Sequence, residues 1–138
     1  MEVVIKSIKE LPGVAEDILK KYKDYKIFFL YGNLGAGKTT LVQAFCKQLG
    51  IKEPVTSPTF AIIQEYKTGK GQVYHLDLYR IKNHAELEEI GIQEYLESGS
   101  YCFIEWPQLL EDFIEQPLVK VEIIAMQNEK RNIKLRVV

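Results

Sequence analysis

The stretch Gly32-Asn33-Leu34-Gly35-Ala36-Gly37-Lys38-Thr39 constrains the fold more than any other part of the chain, because its pattern works only between a buried strand and the start of a helix. Lys26 to Tyr31, just before it, is the apolar and aromatic run of a buried strand. Thr40 to Leu49, just after it, places apolar residues at helical spacing and stops at Gly50. In that order the glycines let successive backbone N–H groups turn inward around phosphate oxygens, and the helix adds its positive N-terminal end. The segment therefore predicts binding of a nucleoside triphosphate with Mg²⁺. Asn33, Leu34, Gly35, Ala36, Gly37, Lys38, Thr39 and Thr40 would surround the phosphates, Lys38 would neutralise the β- and γ-phosphates, and the Thr39 hydroxyl would take one position on the metal. The loop alone does not say which reaction follows.

A chain of 138 residues with 46% hydrophobic content builds one core, so a single domain spanning 1–138 is expected. That size leaves little room for a separate lid or substrate domain, which favours an ATPase working with a partner over a self-contained kinase. With 18 basic and 19 acidic residues interspersed and a net charge of −1, no basic stripe marks autonomous nucleic-acid binding. Cys46 and Cys102 lack a second pair and lack metal-ligand spacing to His75 or His84, so they read as reduced core thiols. The N-terminus has no basic segment followed by an apolar one, and no run approaches the roughly 20 apolar residues of a membrane span. A soluble, cytoplasmic protein is the expectation.

Val3-Val4-Ile5 suits an edge or flanking strand, and Gly13 to Tyr22 puts Val14, Ile18, Leu19 and Tyr22 on one helical face. Beyond the loop marked by Pro54, Ser57 and Pro58, Thr59 to Tyr66 reads as a strand, Thr68-Gly69-Lys70-Gly71 as a hairpin turn, and Gln72 to Leu78 as the returning strand. Val73, His75 and Asp77 share a face of that strand. Asn83 with Glu86 suggests an N-cap with a reaching acid, ahead of a bent helix or two short ones broken near Gly91. Tyr101 to Glu105 is a further strand, a short helical piece surrounds Leu109 to Phe113, and Leu118 to Ala125 with Asn132 to Val138 form a terminal hairpin. Interleaved helices and strands with two hairpins predict an α/β, three-layer P-loop NTPase domain with a mixed, mainly parallel sheet and a C-terminal antiparallel hairpin.

Phosphoryl chemistry needs an acid to organise the metal and usually one to orient the attacking water. Asp77 and Glu105 each end an apolar strand and are the candidates. Either is also readable as a solvated strand terminus, and His75 as an ordinary structural histidine or a hydrogen-bond partner of Asp77.

Four blocks in order, Gly32 to Thr40, Val55-Thr56-Ser57-Pro58-Thr59-Phe60, His75-Leu76-Asp77-Leu78-Tyr79-Arg80 and Ile104-Glu105-Trp106-Pro107, make the chain resemble the TsaE family of small bacterial ATPases that support N6-threonylcarbamoyladenosine (t6A) modification of transfer RNA. The resemblance implies Lys38 on the phosphates, Thr39 on Mg²⁺, and Asp77 and Glu105 as an acidic pair near the metal; by analogy with other P-loop enzymes Glu105 would orient the hydrolytic water and Asp77 ligate Mg²⁺ directly or through water, or the two roles would be exchanged. Lys38, Asp77 and Glu105 are thus the catalytic candidates, and Thr39, Asp77 and Glu105 the metal candidates. It further implies a switch-like segment from Thr56 to Phe60 with Ser57 or Thr59 as its polar contact, and a contribution of Trp106 to activity or partner contact. Two departures stand out: Gln108-Leu109-Leu110-Glu111 where the family often has a charged residue and glycine, and Lys130-Arg131 where it commonly has Gly-Arg. Arg131 remains a nucleotide-contact candidate.

The resemblance implies an ATP hydrolase, with ATP and Mg²⁺ as cofactors, that acts on the TsaB and TsaD proteins to reset their complex. It would meet tRNA only indirectly and would not itself be the threonylcarbamoyl transferase. The alternatives are a small-molecule kinase with an acceptor pocket in the 83–97 helices, and a non-hydrolysing nucleotide-dependent binding module.

Overall fold

The structure, a computed structural model, describes residues 1–55 and 62–138. Seven strands, β1 (Glu2–Ile5), β2 (Ile27–Tyr31), β3 (Ile63–Thr68), β4 (Gly71–Asp77), β5 (Tyr101–Glu105), β6 (Val119–Ala125) and β7 (Arg131–Val137), form one sheet in the order β1-β7-β6-β2-β5-β4-β3. The middle of the sheet, β6-β2-β5-β4, is parallel. The β3–β4 hairpin and the β6–β7–β1 antiparallel set flank it, so the mixed sheet is as expected and its parallel part is confined to the centre.

Alternation along the central strands sorts the core into two layers. Phe28, Leu30, Val73, Phe103, Val119 and Val121 face α1 (Leu11–Lys21) and α2 (Lys38–Gln48). Ile27, Phe29, Leu76, Cys102 and Ile104 face α3 (His84–Glu89) and α4 (Ile92–Leu96) on the other side. β2 is buried on both faces, as its unbroken apolar run requires. Cys46 and Cys102 are buried and unpaired, and burial pushes both thiols up to about 12.

Local signals explain the boundaries. α1 begins two residues earlier than the periodicity predicts because Pro12 is accommodated in its first turn, behind a capping box in which Ser7 Oγ accepts from Lys9 N and Glu10 accepts from Ser7 N. α2 ends in a Schellman motif: Gly50, at φ 90°, donates to the Lys47 carbonyl and Ile51 to that of Cys46. Asn83 caps α3 by accepting from Glu86 N at 3.0 Å, while the Glu86 carboxylate reaches Lys82 N at 2.8 Å rather than the cap itself. Gly91, at φ 72°, separates α3 from α4. The Gln108–Leu110 departure folds as one 3-10 turn that buries Leu110, shorter than the helical piece expected over Leu109 to Phe113.

Candidate functional site

The phosphate-type loop leaves the C-terminal end of β2 and enters α2, at the mouth of the parallel strands where α/β sheets bind their ligands. Gly35 and Gly37 hold φ values of 80° and 108°, which side chains rarely adopt and which loops of this type use to converge their N–H groups. Gly32 is required for a different reason. A Cβ there would lie 2.9 Å from the Ile123 carbonyl oxygen of β6, so the loop approaches the sheet too closely for any side chain. Ala36 N donates to Asn33 O at 3.0 Å, closing the loop tip, where Asn33 and Leu34 are exposed.

Parallel pairing places Leu30, Glu105 and Asp77 side by side on β2, β5 and β4. Glu105 and Asp77 point to the α2 side, where Thr39 stands in the first turn of that helix. The Thr39 hydroxyl donates to both Glu105 oxygens, at 3.1 and 3.0 Å. Glu105, only 3% exposed, also accepts from His75 Nε2 at 2.5 Å. His75 therefore contacts Glu105 rather than Asp77, the neighbour on its own strand. Asp77 stands at the rim, its Oδ1 accepting from Tyr79 N at 3.0 Å. Burial raises its carboxyl above the usual aspartate value, with Glu105 adding to the rise and the Tyr79 N–H opposing it.

Lys38 is buried, and its Nζ donates to the Gly32 carbonyl at 2.6 Å while lying 3.4 Å above the centre of the Trp106 ring. Burial lowers its proton affinity against the opposing pull of Glu105 and Asp77. Trp106 reaches that position from a backbone φ of 55°, unusual for so bulky a residue, and packs its ring against Tyr79. Arg131, the first residue of β7, donates from Nε to the Ala36 carbonyl at 3.0 Å and so grips the loop from outside. Thr40 is half-buried on α2. Thr59 and the switch-like segment Thr56 to Phe60 lie outside the described residues.

The structure thus brings Lys38, Thr39, Glu105, Asp77 and Arg131 to one end of the sheet. Two contacts were not foreseen from the sequence: His75 on Glu105, and Lys38 over Trp106. The first had a signal, since His75 and Asp77 share a face of β4; which carboxylate the ring would meet depended on the β4–β5 register. The second had none, because it depends on the backbone turn at Trp106.

These residues fit a magnesium-bound triphosphate. A buried ammonium, two left-handed glycines and a helix start suit phosphate oxygens, and a hydroxyl facing a carboxylate is a hard-oxygen donor set of the kind Mg²⁺ uses with phosphates and water. Among the described residues no group of three His, Cys, Asp or Glu side chains forms a self-contained metal cage. Also among them, no helix is long and apolar enough to cross a membrane.

A family model described as "Threonylcarbamoyl adenosine biosynthesis protein TsaE" matches residues 5–133. The tRNA threonylcarbamoyladenosine biosynthesis protein TsaE of Aquifex aeolicus is 44% identical over 137 residues, covering 97% of this chain and 94% of that protein. Its counterpart in Bacillus subtilis is 38% identical over 125 residues, covering 91% of this chain and 78% of that protein. The crystal structure of Bacillus subtilis YdiB superimposes with a TM-score of 0.80 at 29% identity, over 100% of this chain and 84% of that one.

Proposed function

Since the chain belongs to the TsaE family of threonylcarbamoyladenosine biosynthesis proteins, we propose that it is the Mg²⁺-dependent ATPase component of tRNA t6A37 modification, acting on the TsaB–TsaD complex to reset it by ATP binding and hydrolysis. The threonylcarbamoyl transfer itself belongs to TsaD in this reading, and contact with tRNA is indirect. The observation that carries the proposal is the pairing of the Thr39 hydroxyl with both oxygens of buried Glu105, because it sets a carboxylate beside the hydroxyl that ligates magnesium in P-loop enzymes.

The chain's own residues then divide the work. The loop from Asn33 to Thr40 binds the triphosphate, Lys38 leaves the Gly32 carbonyl and the Trp106 face to neutralise phosphate charge, and Thr39 and Glu105 hold the metal. Asp77, at the rim, would then orient the attacking water, the exchanged assignment of the two acids. Bound Mg²⁺ supplies charge neutralisation across the transferred phosphoryl group. Arg131 fixes the loop through Ala36 and orders it for the nucleotide.

The kinase alternative needs an acceptor pocket opening onto these groups. A cavity of about 660 Å³ does lie between α3, α4 and Phe113, but it shares no lining residue with Lys38, Thr39, Asp77 or Glu105. The proposal is tested by measuring ATP turnover with TsaB, TsaD and tRNA added separately. Lys38→Ala is expected to abolish ATP binding, and Glu105→Ala to keep magnesium-free binding but lose partner-stimulated hydrolysis. Turnover at background with every partner present would leave the non-hydrolysing binding module as the reading.

A further inference from the structure

His75 is fully buried between β4 and β5. Its register partner on β5 is Phe103, so Glu105 lies diagonally from it, one side-chain step nearer the C-terminal ends where the phosphate loop begins. Nε2 reaches Glu105 Oε2 at 2.5 Å, whereas Nδ1 has no hydrogen-bond partner among the described residues. This is an expensive way to fill a core. An unpartnered buried nitrogen leaves its desolvation uncompensated, and Val73 and Phe103, on the same face of the sheet, form an apolar core that a leucine would join without that cost.

The hydrogen-bond network assigns the ring's tautomer. An ionised carboxylate only accepts, and both Glu105 oxygens already accept from the Thr39 hydroxyl. Nε2 therefore carries the hydrogen of this pair, and Nδ1 is the ring atom without a partner among the described residues. Glu105 also attracts Lys38 electrostatically, yet among the described residues that ammonium donates to the Gly32 carbonyl and lies over the Trp106 face rather than bonding to Glu105. Something must keep the carboxylate on the Thr39 side. Among the described residues, its one other side-chain hydrogen-bond partner is the imidazole.

We infer that His75 is a positioning residue for Glu105: its Nε2–H pins Oε2 so that the carboxylate is presented in one rotamer to the Thr39 hydroxyl and to the magnesium ion that this hydroxyl would hold. The inference rests on the reading of Thr39 and Glu105 as magnesium groups, and it adds a residue that makes no contact with nucleotide or metal. A carboxylate freed from His75 would swing toward Lys38, and magnesium would then add less to nucleotide affinity.

The test compares ATP affinity with and without Mg²⁺ in the full chain, by calorimetry, for wild type, His75→Leu and His75→Gln. Leucine fills the site without a donor, and glutamine places an amide nitrogen near the position of Nε2. The expected result for His75→Leu is magnesium-free affinity within about twofold of wild type and a magnesium-dependent gain smaller by about tenfold, the scale of one hydrogen bond to a charged group. His75→Gln should recover most of the gain. If His75→Leu does not fold, His75→Asn, polar but one bond too short to reach Oε2, takes its place with the same expectation. An undiminished magnesium gain, or an equal loss with and without the metal, overturns the inference. A second readout needs no nucleotide: the ¹⁵N resonances of the His75 ring should report the Nε2–H tautomer and shift on Glu105→Gln, and a ring indifferent to Glu105→Gln also overturns it. Should that ring signal respond while wild type shows no magnesium-dependent gain, the magnesium reading of the site fails and the positioning role falls with it.

Discussion

Lys38 illustrates how a candidate phosphate-binding residue is held at a cost in this fold. Its ammonium is buried against a carbonyl and an aromatic face, and burial lowers its proton affinity. A lysine whose folded-state pKa lies below its unfolded value weakens the fold while it is charged, throughout the neutral range. Lys38→Met should therefore raise the melting temperature of the nucleotide-free protein by about 3 °C, as about 1 kcal/mol does in a chain of this size, while ATP binding is lost; scanning calorimetry and a binding titration check both halves. Asp77 works in the opposite direction along the pH axis. Its folded-state pKa is raised, so its own contribution to stability is fully present below the ordinary aspartate value of 3.8 and declines as pH rises from there through the folded value. Asp77→Asn should flatten that decline, which urea denaturation at a series of pH values would register.

At the scale of elements, the short helices depend on their ends. α3 spans His84–Glu89, too short to be stable by propensity, and hangs on the Asn83 cap and the Lys82 N to Glu86 bond. Asn83→Ala should cost about 1 kcal/mol of stability, and because Leu87 beneath it belongs to the core layer opposite α2, the loss should leave ATP affinity unchanged. α2 is anchored differently, through Phe45, whose ring stacks on Phe103 with centroids 4.9 Å apart and meets Phe28 at 5.6 Å. Phe45→Ala should cost about 3–5 kcal/mol and, unlike the α3 change, weaken nucleotide binding, since α2 carries Lys38 and Thr39.

Across the whole molecule, the C-terminal hairpin does more than extend an edge. β7 lies between β6 and β1, and its first residue, Arg131, bonds to a loop 95 residues earlier in the chain. Arg131→Ala should lower ATP affinity by about tenfold, the effect of one lost charge-assisted hydrogen bond on loop order, with little change in melting temperature because the arginine is only half-buried. Charge is also less evenly spread than the near-zero total suggests. Between Lys82 and Lys120 the chain contains no lysine or arginine, and this acidic stretch builds α3, α4, β5 and the connection to β6, away from the lysines of α1.

The elements and the identity of the loop were legible in the sequence because they depend on short-range physics. A 3.6-residue or two-residue apolar period, a cap such as Asn83 and a left-handed glycine such as Gly50 act within a few residues of themselves. Lys38, Thr39, Asp77 and Glu105 were recognisable for the same reason, each ending or beginning such an element. What those residues touch was not legible. Glu105 faces Thr39 and His75 because β5 inserts between β2 and β4 in one register, and a shift by one residue would turn both side chains to the opposite face. Trp106 covers Lys38 because of a single unusual φ, and Arg131 reaches Ala36 because β7 docks beside β6. Sequence determined which chemical groups this protein carries to the end of its sheet; strand order and register, set by the packing of two core layers, decided which of them meet.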